Sequence, residues 1–171
     1  AQGGICVLRD KNDFDSFMED TMKAGHYENR KESVEIMINS SRDIINELIG
    51  YGVDFATKDG KLDYTREGAH SKPRILFHED ITGKEITSTL LDVVRKLENV
   101  TIMEYVTMTD IIEKDNVCYG VLAKDANNNE MSIEAGYTIF ACGGIGGLYD
   151  HSTNYPHLTG DAIAIAIQHG I

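Results

Sequence analysis

Apolar residues recur at helical spacing in four stretches of the chain. Phe14, Phe17, Met18 and Met22 predict a helix over 13–24 that stops at Gly25. Val34, Met37, Ile38, Ile45, Leu48 and Ile49 form the stripe of a longer second helix. Asn29 with Glu32 three residues on reads as its capping box, and Gly50 and Gly52 as its end. A second capping box, Thr82-Gly83-Lys84-Glu85, opens a third helix with Ile86, Leu90, Val93, Val94 and Leu97 on one face. The Ala/Ile-rich stretch 161–169 reads as a fourth, ended by Gly170.

Between these helices the pattern changes to strands. Residues 53–57 and 61–64 predict two short strands around a turn at Asp59-Gly60, and 74–78 another. Further on, strands are expected over 100–105, 109–114, 117–124, 130–135 and 137–141, with turn signals at Asp115-Asn116 and Asn127-Asn128-Asn129. Turns this short force antiparallel neighbours, so the middle three strands form a meander. The run Tyr137-Thr138-Ile139-Phe140-Ala141 is nearly all apolar and predicts a strand buried on both faces. No leading strand is read at the start of the chain. The order of elements defines an α/β pattern with an inserted antiparallel layer.

Composition narrows the class. A formal charge of −12 opposes binding to nucleic acid and to anionic membrane surfaces, though local cations still permit a small anionic substrate. Cys6, Cys118 and Cys142 are odd in number and widely spaced, which fits reduced thiols rather than a disulfide framework or a zinc site. No apolar run approaches the roughly 20 residues that span a bilayer. A cytoplasmic protein is expected, without metal. The start at Ala1-Gln2-Gly3-Gly4-Ile5, with no initiator Met, leads to the expectation of a segment cut from a longer protein.

Four places carry candidate chemistry. Gly143, Gly144, Gly146 and Gly147 follow the apolar run 137–141. Glycines there either let backbone approach a flat or phosphorylated ligand or serve a turn with positive φ. Their spacing is not the dinucleotide fingerprint G-x-G-x-x-G. Asp161, before the last helix, is either its N-cap or an acceptor for ligand hydroxyls. Gln2-Gly3-Gly4 could also bring backbone close to a ligand. The loop holding Arg66, Glu67 and His70, with Arg74 and His78 nearby, places one carboxylate among cations. That suits an amino acid, with Glu67 on the ammonium and the cations on the carboxylates, and it equally describes a solvated loop with surface ion pairs. Ser71 and Cys142 have no base partner at a known spacing.

Together these segments resemble one family. Ala-Gln-Gly-Gly-Ile at 1–5, Thr-Arg-Glu-Gly-Ala-His-Ser at 65–71, Arg-Ile-Leu-Phe-His at 74–78 and Asp-Ile-Thr-Gly-Lys-Glu-Ile at 80–86 occur in order. Ala-Cys-Gly-Gly at 141–144, Tyr-Asp-His-Ser-Thr-Asn at 149–154 and Thr-Gly-Asp-Ala at 159–162 follow. The chain is similar throughout to the L-aspartate oxidase family, itself similar to the flavin subunits of succinate dehydrogenase and fumarate reductase. The segment 65–71 points to the oxidase branch.

The resemblance implies an incomplete FAD-binding (Rossmann-like) domain over 1–171, with 109–135 as an inserted antiparallel β-meander and flanking helices. It implies FAD-dependent oxidation of L-aspartate to iminoaspartate, with oxygen or fumarate as acceptor, feeding quinolinate synthase and NAD synthesis. Carried over by position, Ala1, Gln2, Gly3 and Gly4 lie beside the flavin, and Val106, Thr107 and Met108 near its adenine end. Gly143 and Gly144 line the cleft, Asp161 meets FAD hydroxyls, and Glu67 orients the substrate ammonium. Ala69, Cys142 and Ala162 depart from the family's usual Gly, Thr and Gly. The G-x-G-x-x-G unit, capping domain and C-terminal helical domain are not in the sequence. The chain alone is therefore expected to hold FAD weakly or not at all, to be inactive, and to self-associate through bared apolar surface. A fumarate reductase or succinate dehydrogenase segment, or a non-catalytic α/β module, are the competing expectations.

Overall fold

Two structural units divide the chain between Thr101 and Ile102, and the computed structural model describes residues 3–171. The positions proposed for Ala1 and Gln2 lie outside the described residues.

The first unit begins with β1 (Ile5–Cys6), a single 3₁₀ turn (Lys11–Asp13), α1 (Phe14–Ala24) and α2 (Lys31–Gly50). The hairpin β2 (Thr57–Lys58) and β3 (Lys61–Leu62) follows, then β4 (Ile75–Leu76) and α3 (Thr82–Val94). The hairpin turns at Asp59 and Gly60, both with positive φ (53° and 74°), as a type I′ connection requires. β1 pairs antiparallel with β4, Ile5 opposite Leu76 and Cys6 opposite Ile75. That pairing brings the start of the unit onto the segment that follows the loop 65–74.

The 20 residues of α2 are long enough to serve two apolar clusters. Val34 and Ile38 bury against Phe17 of α1, with Met18 and Met22 flanking. Two turns on, Ile45 and Leu48 join Val7, Val53, Phe55 and Leu76, and Ile86 and Leu90 of α3 close that cluster from outside. Full burial of each such side chain contributes about 1.5–3 kcal/mol.

The second unit is built on β5 (Thr107–Lys114), β6 (Val117–Lys124) and β7 (Glu130–Glu134), ordered β5-β6-β7 with both pairings antiparallel. A 3₁₀ turn (Gly146–Leu148) and α4 (Asp161–Gln168) complete it. Asp115 and Asn116 both take positive φ (54° and 64°), which makes the β5–β6 connection another tight I′ turn. Ile111, Ala123, Ala162 and Ile165 are its buried apolar residues.

Gly120 sits at the register shift between Ile112 and Glu113, with φ at 138°. A Cβ there would collide with the Ile133 carbonyl of β7. Gly120→Ala is therefore expected to cost about 2–3 kcal/mol, from backbone strain and a blocked strand contact. Urea unfolding of wild type and variant measures it, and a loss under about 0.5 kcal/mol would mean that β7 is not held there.

Several expected elements differ. Neither capping box forms. α2 starts at Lys31 with Arg30 as its uncapped N-cap, while Asn29 turns its amide back toward the Thr21 carbonyl of α1 at 3.4 Å. The Thr82 hydroxyl accepts the His78 N–H (2.9 Å) and Glu85 accepts the Asp54 N–H (3.1 Å), so both serve tertiary contacts instead. Residues 100–105 and 137–141 are not strands. The second of these was expected to be buried, yet Tyr137 is 96% and Ile139 88% exposed; Thr138 touches Cys118 of β6 at 3.5 Å, but no described strand pairs with the run. β1, by contrast, was not expected at all. All strand pairings among the described residues are antiparallel.

Candidate functional site

In the first unit the loop 65–74 is held from beneath by one buried arginine. Arg74 is fully buried. Its Nε and Nη2 donate to the two carboxylate oxygens of Asp13 at 3.1 and 2.8 Å, and Nη1 donates to Asp20 at 2.5 Å. Nη2 also donates to the Ser16 hydroxyl (3.0 Å), and the guanidinium lies 4.9 Å from the centre of the Phe17 ring. Asp20 further accepts both the backbone N–H and the hydroxyl of Ser71, at 2.7 and 2.8 Å. The loop is thus tied to α1 by charge-assisted hydrogen bonds, the stronger class of such bonds.

His70 completes this layer. An arginine only donates, so its contact with His70 Nδ1 at 3.2 Å makes that nitrogen an acceptor and puts the ring proton on Nε2. Nε2 faces the Cys6 sulfur at 3.3 Å. Burial pushes the Cys6 thiol up, Arg74 opposes this and Glu67 adds to it, so Cys6 is a protonated thiol and a poor nucleophile.

These contacts correct one expectation. Arg74 is not available to a substrate carboxylate, because its donors are already used inside the fold. Both ring nitrogens of His70 are engaged, and His78 directs Nδ1 to the Asp54 carbonyl at 2.9 Å. Asp13 and Asp20 were not singled out in the sequence. They lie 61 and 54 residues from Arg74, so no local spacing announces them.

The pair of carboxylates gives the unit an acid-sensitive support. Burial raises Asp13, but hydrogen bonds from Arg74 and Ser16 and the charges of Arg74 and Lys72 outweigh it and hold the carboxyl below its ordinary value. Asp20 is likewise raised by burial and lowered further by Ser71 and Arg74. A depressed folded pKa stabilises above the unfolded value, near 3.9, and that stability is lost as pH falls through the folded value. Melting temperature is expected to drop below about pH 4, and less steeply in Asp20→Asn. Parallel profiles for the two proteins would remove Asp20 from this role.

Above this layer Glu67 is exposed and meets the backbone of Gly3. A Cβ on Gly3 would stand 3.3 Å from Glu67 Oε2. Gly3, Thr65, Glu67, Phe77, Glu79 and Asp80 line an open cavity of about 370 Å³. Three carboxylates against no cation in this lining favour a positively charged group. Gly4, beside it, has a different reason to be glycine. Its Cβ would collide with Ile75 and the Leu76 carbonyl, so the close approach of β1 and β4 already requires it.

The second unit holds the other candidates. Gly143 has φ at 79°, and a Cβ there would stand 2.9 Å from Leu158. Gly146 and Gly147 are pressed by Asn154 and by the Pro156 carbonyl. The loop folds back on 154–160, with Gly147 N–H donating to the Leu158 carbonyl at 2.9 Å. Gly144 differs from these three: a Cβ on it would meet nothing within 4 Å, so nothing in the described chain requires a glycine there. The same folding brings Gly143 onto Leu158, in the segment that leads into α4. Asp161 is the first residue of that helix. The N-cap is Gly160, with φ at 73°, and it offers no side chain to the first N–H groups. The Asp161 carboxylate does not cap either, and accepts from the Thr159 hydroxyl at 3.0 Å. Val106 precedes β5, while Thr107 and Met108 begin it opposite Lys124 and Ala123. Among the described residues no hydrogen bond ties these three to Gly143, Gly144 or Asp161.

An open glycine backbone, an uncapped helix start and a carboxylate acceptor fit the hydroxyls and phosphates of a dinucleotide cofactor. No group of described His, Cys, Asp and Glu residues is arranged to hold a metal ion, and no described helix is long and apolar enough to cross a membrane. The unit thus carries the marks of a nucleotide-cofactor-binding α/β domain. A family model described as FAD binding domain matches residues 1–171, and the chain belongs to that family, whose cofactor is FAD.

The L-aspartate oxidase of Clostridium perfringens is 46% identical over the whole chain, which covers 39% of that relative. That of Clostridium acetobutylicum is 45% identical with the same coverage. Among solved structures, Mycobacterium smegmatis Sdh1 in complex with UQ1 is similar with a TM-score of 0.87 at 29% identity, over 99% of this chain and 31% of that one. The chain therefore spans about two fifths of the length of the curated relatives it matches.

Proposed function

We propose that the chain is the part of an L-aspartate oxidase that contributes Glu67 to the substrate site and Gly144 and Asp161 to the FAD site. The protein would oxidise L-aspartate to iminoaspartate with oxygen or fumarate as final acceptor. Its product would pass to quinolinate synthase in NAD synthesis. Gln2 and Gly3 would lie beside the flavin with Ala1 and Gly4, and Gly143 and Val106, Thr107 and Met108 would complete the cofactor contacts.

The observation that carries the reading is the pairing of Gly3 with Glu67 at the wall of an anionic cavity. Such a cavity favours an ammonium, which L-aspartate has and succinate lacks. The relatives' names support the same choice, since both Clostridium proteins are L-aspartate oxidases aligned over the whole chain. FAD, when bound, supplies the two-electron acceptor. Glu67 holds the ammonium so that one face of Cα is presented, and Gly3 lets backbone come close without a side chain in the way. Residues 106–108, 143–144 and 161 act in binding alone.

The 171-residue chain by itself is proposed to hold FAD weakly and to be inactive, because relatives of this family are more than twice as long. Its exposed Tyr137, Ile139, Leu148 and Tyr155 are proposed to favour self-association. The test is peroxide release by the full-length protein with FAD, comparing L-aspartate with succinate. Turnover of L-aspartate is expected. Turnover of succinate with none of L-aspartate would assign the chain to the succinate dehydrogenase branch instead.

A further inference from the structure

In the second unit one histidine fastens the cofactor helix to the sheet. His169 is the C-cap of α4, a position where the helix dipole favours a cation. Its Nε2 lies 2.8 Å from Asp110 Oδ1 and its Nδ1 4.0 Å from Glu113 Oε2, both on β5. These are the charged groups that face the ring from the strand packed against it. The ring is mostly shielded, with a side-chain exposure of 23%. At the other end of α4, Gly160 lies against Ile145 too closely to admit a side chain. Ala162 and Ile165 are buried between the two ends. An eight-residue helix behaves as a short rigid rod, so fixing its last turn fixes the direction of its first.

We infer that His169 is a positioning residue: by its hydrogen-bond contact with Asp110 it sets the seat of α4, and through the helix the placement of Asp161. The inference rests on the reading of Asp161 as a contact for FAD hydroxyls. It adds a positioning residue to that site. Glu113, 4.0 Å from Nδ1, stands beside the ring without a hydrogen bond to it. Asp110 is held below the ordinary aspartate value by the hydrogen bond from His169, then by the Ile111 N–H, and so is a carboxylate acceptor near neutral pH.

The experiment measures two quantities on the FAD-loaded full-length protein at one pH. One is amide exchange of α4. The other is the FAD dissociation constant from flavin fluorescence. His169→Ala should leave α4 less protected and FAD bound about threefold to tenfold more weakly, the worth of one hydrogen bond. His169→Gln, which keeps a donor at the end of the side chain, should restore both toward wild type, and Asp110→Ala should repeat the loss.

Equal α4 exchange in wild type and His169→Ala would overturn the seat. Exchange that follows His169 while FAD affinity does not would overturn the positioning role. Asp161→Asn separates the causes of that second result. If it also leaves FAD affinity unchanged, the reading of Asp161 has failed; if it weakens FAD, only the link from His169 has.

Discussion

Replacing Arg74 with methionine is expected to cost the first unit about 3–5 kcal/mol, a large share of what holds a domain folded. Methionine fills much of the same volume, so packing loss is the smaller part. The larger part is electrostatic. Asp13 is almost fully buried, with a side-chain exposure of 4%, and it loses a two-pronged partner at 2.8 and 3.1 Å. Lys72, 3.6 Å from Asp13 and itself 48% exposed, compensates only weakly. Asp20 loses its charge partner as well, and with it the reason for Ser71 to close down on α1. Arg74→Lys should recover only part of the loss, because an ammonium cannot meet both oxygens of Asp13 and also reach Asp20. Equilibrium urea unfolding followed by circular dichroism decides it. A loss below about 1 kcal/mol in Arg74→Met would show that water, not Arg74, satisfies Asp13 in solution.

The same arginine shows where sequence reading stopped. Arg74 stands in a polar stretch beside His70 and reads as a cation offered to solvent or substrate. Its burial depends on Asp13 and Asp20 arriving from α1, which no local pattern encodes. Helices α1, α2 and α3 were legible because a buried face repeats every three to four residues. The meander was legible for another reason: Asp115-Asn116 can take the positive φ values that a two-residue turn demands. Capping boxes misled because Asn29, Thr82 and Glu85 all found tertiary partners that outbid the helix ends. The run 137–141 misled in the opposite sense. An apolar pentapeptide specifies that it should be covered, not by what, and no described strand pairs with it. Among the glycines the sequence could not separate ligand from turn. The structure does so by showing that Gly4, Gly143, Gly146 and Gly147 answer to neighbours in the chain while Gly144 does not.

Changing Glu67 to glutamine should lower kcat/KM for L-aspartate by about 10- to 100-fold, the worth of one hydrogen bond to a charged group. Reduction of fumarate by the same variant should fall much less, since fumarate brings no ammonium. The argument rests on what surrounds Glu67. Gly3 gives its carboxylate room on one side, and Glu79 and Asp80 line the same cavity. Three carboxylates repel a dicarboxylate unless a cation of the ligand itself enters. Fumarate therefore gains no ion pair from Glu67. L-Aspartate, by contrast, loses its ion pair. Substrate carboxylates must then be met by cations other than Arg74 and His70, whose donors and ring nitrogens are engaged within the fold. Steady-state kinetics of the FAD-loaded full-length protein in both directions checks the prediction. Equal losses for the two substrates would mean that Glu67 supports the shape of the cavity and does not read the amino group.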